Sequence, residues 1–316
     1  MTKVVHVAVA ILKKENGEFL LTSRPEGKPW AGWWEFPGGK IEAGESSERA
    51  LERELQEELD VTPTACQAWI QKRFDYPETH DSPAKTVHLH FFFVTQWQGE
   101  LAPKEGQKLS WQTPGQVSVK PVLPANTPIM HALALPPIYA ISNSTEMGEA
   151  GFFNALEQQL RNGLQLIQVR EKQLGRHELR QFATQVKTMA KAFDAKVLLN
   201  EDVELAVELG LDGVHLPSKV LFQQHSKPDG LLVAASCHQA NEIAQAERLG
   251  VDLITLSPVS KTESHPEAKA LGWQAFATLA SRTEIPVYAL GGMHVDDLSC
   301  AYANGARGIA MQRAVW

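Results

Sequence analysis

The chain divides into two parts that differ in the spacing of apolar and polar residues. Up to about residue 132, apolar residues alternate with polar or small ones, as in residues 5–11, and this alternation is typical of half-buried strands. Asn16-Gly17 predicts a type I′ hairpin turn, from which residues 19–22 pair back. Further strands are predicted at residues 68–74 and 87–97, with a polar loop at residues 77–83 between them.

From Ile138 onward, short apolar runs alternate with amphipathic helical runs. Eight such units favour a (β/α)8 TIM barrel over a doubly wound sheet. The predicted fold class is therefore α/β, with a first domain of mixed strands at 1–133, a linker at 134–137 and a barrel at 138–316. The barrel strands are predicted at residues 138–141, 164–170, 196–199, 213–216, 232–236, 253–256, 287–290 and 308–311.

The last predicted strand lies close to Trp316, so the eighth helix of the barrel is predicted to be very short or missing. Without that helix, part of the barrel wall lacks its outer layer. We expect the first domain or a second subunit to cover this part, so a homo-oligomer is one arrangement that the sequence suggests.

Composition narrows the class of protein. With 316 residues and 43% hydrophobic content, the chain is long and apolar enough for two packed domains. A net charge of -7 without a long basic run argues against direct binding of nucleic acid. Cys66, Cys237 and Cys300 are isolated, which suits a reducing cytosol. We find no signal peptide and no membrane-spanning stretch, so a cytoplasmic protein without a membrane partner is expected.

A predicted helix that follows Ser46 and Ser47 carries the densest candidate chemistry. Either serine is a candidate N-cap. Glu54, Glu57 and Glu58 share one face of this helix, because they are spaced three and four residues apart. Arg53 can pair with Glu57 but does not offset three carboxylates, and such oxygen ligands suit Mg²⁺. The buried face is predicted from an apolar stripe of Ala50, Leu51, Leu55 and Leu59.

Residues 38–61 read GGKIEAGESSERALERELQEELDV and resemble the Nudix box, G-x5-E-x7-R-E-U-x-E-E-x-G-U with U aliphatic. Asp60 replaces its second Gly, but Asp tolerates the left-handed backbone expected there. The resemblance implies an α/β/α sandwich and an Mg²⁺-dependent hydrolase, with Mn²⁺ as a substitute. It leaves open which glutamate is the base. It also implies metal ligation by Gly38, Glu54, Glu57 and Glu58, carboxylate orientation by Arg53, and substrate contacts from Arg24, Gly38, Gly39 and Lys40.

Three further strings are similar to the MutT branch of that family, which acts on oxidised guanine triphosphates. WEFPGGKIEAGE at residues 34–45 contains Phe36, which the resemblance places in the base pocket. KEGQ at residues 104–107 contains Glu105, which on a loop would complete the metal site or act as a general base. LPAN at residues 123–126 contains Asn126, which the resemblance implies reads the purine.

An amide at Asn126 suits the oxidised base, because it is both a donor and an acceptor. It can donate to O6 of 8-oxoguanine and accept from N7–H, a proton that guanine lacks. The implied reaction is hydrolysis of 8-oxo-dGTP to 8-oxo-dGMP and pyrophosphate, with a small nucleotide as the partner.

The polar ends of the predicted barrel strands resemble thiamine-phosphate synthases and TenI thiazole tautomerases. The resemblance implies a site for a phosphate compound at these strand ends. In synthases, a pyrimidine pyrophosphate is held by the residues that match Gln168, Arg170, Lys172 and Asn200. Gly291 and Gly292 match the protein backbone that binds the thiazole phosphate, and Thr262 matches a loop that contacts the substrate. His238 matches the catalytic histidine of TenI.

Two departures from the synthase pattern lower the expected synthase activity. Glu201 replaces the Asp that holds Mg²⁺, and Lys219 lies near the position where the pattern expects an acid. We therefore expect a barrel that binds a phosphate compound and is a poor or inactive synthase. Two alternatives stay open. The chain is a bifunctional thiamine-pathway enzyme whose Nudix half cleaves a related pyrophosphate, or the barrel is a non-catalytic binding module.

Overall fold

The structure is a computed structural model that describes residues 3–76, 84–261 and 269–316. Its contacts divide the chain into two compact units, Met1–Leu135 and Pro136–Trp316. The polar loop predicted at residues 77–83 lies outside the described residues, as does Thr262. Within the described part of the chain, no helix is long and apolar enough to cross a membrane.

The first unit contains two sheets and two α-helices. Its strands are β1 Lys3–Leu12, β2 Phe19–Ser23, β3 Trp34–Glu35, β4 Gly38–Lys40, β5 Thr62–Tyr76, β6 Lys85–Gln98 and β7 Leu109–Gln112, and its helices are α1 Ser47–Leu59 and α2 Thr127–Leu133, with a 3-10 turn at Pro124–Asn126. The strand orders are β4-β1-β6-β5 and β3-β2-β7. Strands β1 and β6 pair in parallel, in a register that sets His6 opposite His88.

A hairpin was predicted at Asn16-Gly17, and the pairing of β2 with β1 that it implies is wrong. The backbone turns there, with the amide of Lys14 donating to the carbonyl of Glu18 at 2.9 Å. Beyond the single bridge from Lys13 to Phe19, however, β1 and β2 enter different sheets. Of the two turn residues only Gly17 has a positive φ, whereas a type I′ turn needs two such residues. Partners distant in the chain therefore override the local turn signal.

Helix α1 forms as its sequence predicts. The hydroxyl of Ser46 caps it by accepting from the amide of Arg49 at 3.3 Å. Asp60 ends it in the left-handed conformation, with φ 61°. The predicted apolar stripe is fully buried and packs on β1 and β6. It consists of Ala50, Leu51, Leu55 and Leu59, which contact Ala8, Ala10, Leu12, Phe92 and Val94. This packing turns the acidic face of the helix toward β4.

The second unit is a closed barrel of eight parallel strands, as predicted. Its strands are β8 Ile138–Ile141, β9 Leu166–Val169, β10 Lys196–Asn200, β11 Gly213–Leu216, β12 Leu232–Cys237, β13 Leu253–Leu256, β14 Val287–Leu290 and β15 Gly308–Met311, and its helices are α3 Ser144–Met147, α4 Glu149–Arg161, α5 Arg176–Lys191, α6 Val203–Glu208, α7 Ser218–Leu221, α8 Ala240–Leu249, α9 Gly272–Ala280 and α10 Leu298–Ala303, with a 3-10 turn at Val295–Asp297. The α/β fold class is thus confirmed.

Among the described residues, no helix follows β15. Trp316 lies at this part of the barrel wall. Its ring packs edge-on against Phe152 at 4.9 Å, and its indole N–H donates to the carbonyl of Ile141 at 2.8 Å. A single aromatic side chain therefore supplies part of the cover that the sequence assigned to another domain or subunit.

Candidate functional site

Arg53 is the centre of the polar network in the first unit. Its guanidinium donates to both carboxylate oxygens of Glu45 at 3.0 Å and to the carbonyl of Lys40 at 2.9 Å. It also donates to Glu54 at 2.9 Å and more weakly to Glu57 at 3.4 Å. The hydrogen bonds that Arg53 donates to Glu45 and then to Glu54 raise the pKa of Arg53. Arg53 therefore ties the segment before α1 to the acidic face of α1, a wider role than the predicted pairing with Glu57.

The two glycines of β4 hold the backbone tightly against the acidic helix face. A Cβ on Gly39 would lie 2.1 Å from the carboxyl carbon of Glu54. A Cβ on Gly38, whose φ is 140°, would lie 2.2 Å from the carbonyl oxygen of Ala8. The amide of Gly38 donates to the carboxylate of Glu58 at 3.2 Å. Only Gly fits at position 38, where the clash is with backbone, whereas a side chain at position 39 would displace the carboxylate of Glu54.

Glu58 occupies an environment with excess negative charge. The pKa of Glu58 is raised to about 7, chiefly by burial and also by the charges of Glu54, Glu105 and Glu35, although the hydrogen bond from the amide of Gly38 lowers it. Burial disfavours a carboxylate unless a positive group compensates it. A cation near Glu58 would therefore stabilise its charged form.

The predicted loop glutamate lies next to this cluster. Gln107, which is buried, donates to the carbonyl of Glu58 at 2.7 Å and accepts from the amide of Glu105 at 2.8 Å. This bridge fixes the loop against the end of α1. The carboxylate of Glu105 forms an exposed ion pair with Lys28 at 2.5 Å. Neither Lys28 nor Gln107 was predicted as a site residue.

The donors in this cluster fit a hard divalent cation, because they are carboxylate oxygens with negative charge in excess. Across residues 3–76, 84–261 and 269–316, however, no group of three or more His, Cys, Asp or Glu side chains is placed to hold a metal ion. Arg53 holds Glu54, and Lys28 holds Glu105. The predicted metal ligands thus stay a prediction.

Arg24 and Phe36 have structural partners in the first unit. Arg24 donates to both oxygens of Glu35, at 2.9 and 2.8 Å, and to the carbonyl of Pro29 at 2.7 Å. Burial raises the pKa of Glu35, and Arg24 lowers it. Phe36 is 3% exposed and packs against the rings of Phe19 and Phe91. The predicted contacts of Arg24 and Phe36 with substrate stay predictions. Lys40 is exposed and borders a separate cleft with His6 and His90.

Asn126 is buried but has a free amide. Its exposed fraction is 6%, and among the described residues its side chain makes no hydrogen bond. It lies in the 3-10 turn that follows Leu123, whose amide donates to the carbonyl of Trp34 at 2.9 Å. That pairing places the segment beside β3. A buried polar group without a partner in the protein is suited to a ligand.

The ends of the barrel strands surround a cavity of about 620 Å³. Seven of the eight predicted barrel residues lie on its wall, and the eighth is the undescribed Thr262. The side chain of Gln168 donates to Asn200 at 3.0 Å, which joins two of them. The seven are Gln168, Arg170, Lys172, Asn200, His238, Gly291 and Gly292.

The charge of this cavity is positive. Arg170, Lys172 and Lys261 contribute to its wall, and within the described chain none of the three forms an ion pair. Burial lowers the pKa of the Arg170 guanidinium, while Glu171 raises it. The described residues that line the cavity include no Asp or Glu. A half-buried guanidinium without a carboxylate partner is suited to an anion.

Glu201, at the altered metal position, is exposed, has a φ of 72° and does not line the cavity. Asp202 beside it caps α6 by accepting from the amide of Leu205 at 2.8 Å. His238, the residue matched to the TenI histidine, does line the cavity, with Nδ1 3.1 Å from the carboxylate of Glu242.

A buried polar chain beneath the cavity was not predicted. The hydroxyl of Tyr139 lies 3.0 Å from Nδ1 of His215, and Nε2 of His215 lies 2.7 Å from the hydroxyl of Ser236. Burial, and then the charge of Arg170, lowers the pKa of His215 to about 3, so this imidazole is neutral. The sequence did carry a signal for these residues, since each is a polar residue within an apolar strand run. Side chains alternate along a strand, and this alternation places such a residue inside the barrel.

Comparison with known proteins matches each unit separately. A family model described as NUDIX domain matches residues 2–133, and one described as Thiamine monophosphate synthase matches residues 138–315. The chain belongs to both families. Its Nudix domain therefore precedes a synthase-family barrel, an arrangement that suits a bifunctional protein.

The barrel is 38% identical over 180 residues to the "Putative thiamine-phosphate synthase 2" of Aquifex aeolicus, covering 56% of this chain and 96% of that protein. The Nudix domain is 36% identical over 131 residues to the "8-oxo-dGTP diphosphatase" of Haemophilus influenzae, covering 42% of this chain and 92% of that protein. It is also 36% identical over 132 residues to the "CTP pyrophosphohydrolase" of Escherichia coli, covering 41% and 91%. Because the identity to these two Nudix relatives is the same, it favours neither 8-oxoguanine nor cytosine as the base of the substrate.

Proposed function

We propose that the Nudix domain hydrolyses 8-oxo-dGTP to 8-oxo-dGMP and pyrophosphate in the presence of Mg²⁺. The observation that carries this proposal is the amide of Asn126, a residue that is 6% exposed and whose side chain has no partner in the described protein. Its donor and acceptor match O6 and N7–H of 8-oxoguanine. Guanine presents acceptors at both O6 and N7, so the amide disfavours guanine, whereas cytosine also presents an acceptor at N3 beside a donor at N4–H and has to be separated by experiment.

The residues of α1 have separate roles in this proposal. Arg53 holds Glu54 and Glu45 in place through charge-assisted hydrogen bonds. Glu58 and Glu54 face the glycine loop, where phosphate can approach the backbone. A bound divalent cation supplies charge stabilisation to the phosphate oxygens and activates water. Glu54, Glu57, Glu58, Glu105 and the carbonyl of Gly38 are the groups that would hold it.

A nucleotide panel tests this proposal. Turnover of 8-oxo-dGTP, dGTP, CTP and thiamine diphosphate is compared with Mg²⁺ present, and the products are separated by chromatography. We expect 8-oxo-dGTP to have the highest kcat/KM and to yield 8-oxo-dGMP and pyrophosphate. A higher kcat/KM for CTP would instead support a pyrimidine nucleotide hydrolase, and one for thiamine diphosphate would support the thiamine-pathway alternative.

We further propose that the barrel binds a phosphate compound and is a poor or inactive thiamine-phosphate synthase. The cationic cavity supports the binding, and the position of Glu201 outside it supports the low activity. The test is formation of thiamine phosphate from the pyrimidine pyrophosphate and the thiazole phosphate with Mg²⁺. Turnover equal to that of a synthase from the same family would refute this proposal.

A further inference from the structure

Three histidines lie together on one face of the four-stranded sheet in the Nudix domain. His88 and His90 are two residues apart on β6, so their side chains point to the same face. The parallel register sets His6 of β1 opposite His88. The ring centroid of His6 consequently lies 4.9 Å from that of His88 and 5.4 Å from that of His90. None of the three was predicted as a site residue.

Two ring nitrogens of this cluster have nearly the spacing of metal ligands. Nδ1 of His6 lies 3.1 Å from Nε2 of His90. A tetrahedral zinc ion bound at about 2.0–2.1 Å holds its nitrogen ligands roughly 3.3 Å apart. The centroids of imidazole rings around such an ion are roughly 5 Å apart, close to both centroid distances from His6. The register of β1 and β6 therefore brings three imidazoles to the separation that one ion requires.

The imidazoles of β6 are neutral and have lone pairs for an ion. Burial, followed by the charges of His6 and Arg73, lowers the pKa of His88. Burial, followed by the charges of His6 and His88, lowers the pKa of His90. The hydrogen of a neutral imidazole can occupy either ring nitrogen. An ion between His6 and His90 thus moves the hydrogen that they share to the outer nitrogen of its ring.

The charges beside the histidine pair do not repel a cation. His6 and His90 border a cleft that is also lined by Glu42, and Lys40 is the one lysine or arginine in its described lining. Glu48, at the start of α1, is close enough to His90 for its charge to raise the pKa of that imidazole. Two carboxylates therefore lie near the pair with one lysine. Because His6 is exposed, an ion reaches it from solvent.

We propose that His6, His88 and His90 form a site for a divalent transition-metal ion such as Zn²⁺, separate from the carboxylates of α1. Imidazole nitrogen suits zinc, copper or nickel, whereas Mg²⁺ prefers oxygen ligands. The ion links β1 to β6 and leaves the proposed hydrolysis with its own cation.

Binding requires small rotations of the rings. Within the described chain, no group of three such side chains is already placed to hold an ion. An N–H···N bond directs the nitrogens of His6 and His90 at each other, whereas an ion lies beside the line between them. Rotation of His88 brings the third nitrogen, and water completes the tetrahedral coordination.

Nitrogen-15 NMR of the full chain, labelled at histidine and free of any affinity tag, tests the site. Zn²⁺ is added in the presence of excess Mg²⁺, which occupies the carboxylates of α1. We expect Nδ1 of His6 and Nε2 of His90 to shift together, with signals assigned from the His6→Gln and His90→Gln variants. His131, exposed in the last turn of α2, should not shift. Unchanged signals of His6 and His90 would overturn the proposal, whatever the nucleotide activity of the chain.

Calorimetry with Zn²⁺ under the same conditions measures the contribution of each ring. Even a change in an outer partner of a metal ligand typically costs about 10- to 100-fold in affinity. His6→Gln, which replaces an exposed side chain, should therefore weaken zinc binding by at least about 10-fold. His88→Gln should also weaken it, and His131→Gln should not. Equal affinity of His6→Gln and wild type would contradict the site, and equal affinity of His88→Gln and wild type would contradict the three-ligand set.

Discussion

In the Nudix domain the candidate site gathers carboxylates around Glu58, whereas in the barrel the cavity gathers the cationic groups of Arg170, Lys172 and Lys261. Both domains belong to families that act on phosphate compounds. Their candidate sites nevertheless carry opposite charges. The first needs a cation between its acids and the ligand. The second supplies the positive charge from its own side chains.

This difference assigns metal dependence to one domain. A carboxylate cluster without metal repels a nucleotide, so the proposed hydrolysis would require the cation. The described lining of the barrel cavity contains no Asp or Glu, so an anion can bind there directly.

Replacing Glu54 by Gln removes a carboxylate from the acidic cluster. We expect kcat for 8-oxo-dGTP to fall by roughly two to four orders of magnitude, because metal charge stabilisation supplies several kcal/mol. Steady-state kinetics measures this fall. The matched control is Glu52→Gln on the same helix, whose side chain is exposed. Equal turnover in the two variants would remove the acidic face of α1 from the catalytic site.

Replacing Arg170 by Ala removes the half-buried guanidinium of the barrel cavity. Hydrogen bonds to charged groups contribute about 1.5–3 kcal/mol, so affinity for inorganic pyrophosphate should fall by about 10- to 100-fold. Calorimetry in the presence of a chelator measures it. Arg161→Ala is the control, since Arg161 is exposed and paired with Glu157. If both variants bind equally well, the anion does not bind at Arg170.

Replacing Asn126 by Ala removes the free amide next to β3. The preference for 8-oxo-dGTP over dGTP should fall by about 5- to 30-fold, as expected for one or two hydrogen bonds, while the Mg²⁺ dependence stays the same. The measured quantity is the ratio of the two kcat/KM values. Asn16→Ala, in an exposed turn, should keep the wild-type ratio. An unchanged ratio in Asn126→Ala would make this residue a structural one.

Replacing Asp60 by Gly restores the Nudix pattern and should change little. Gly relieves the left-handed backbone at φ 61°, but the hydrogen bond with Gln56 and the exposed ion pair with Lys104 are lost. Such exposed contacts are weak, so the free energy of unfolding should change by less than about 1 kcal/mol. Chemical denaturation measures it. A larger loss would show that Asp60 has a role beyond ending α1.

Local signals predicted the elements that depend on neighbouring residues. Ser46, the apolar stripe of α1 and the left-handed Asp60 are read from spacing within one helix, and all three are as expected. The barrel strands followed from the alternation of apolar runs with helices, because each strand–helix unit repeats the same local pattern.

Contacts between distant parts of the chain could not be read this way. Lys28 and Glu105 are 77 residues apart, and Tyr139 and His215 are 76 apart. The hairpin at Asn16-Gly17 failed for the same reason, since the partners of β1 are β4 and β6. Sequence motifs therefore located the candidate sites, while the pairings within those sites depend on the fold.

Removal of divalent metal from the full-length chain tests the central contrast most directly. In one sample containing excess chelator, hydrolysis of 8-oxo-dGTP and binding of inorganic pyrophosphate are measured together. We predict that hydrolysis falls to background while pyrophosphate still binds, with an affinity that drops in Arg170→Ala. Hydrolysis that persists without metal, or pyrophosphate binding that disappears with it, would contradict the assignment of opposite charge requirements to the two domains.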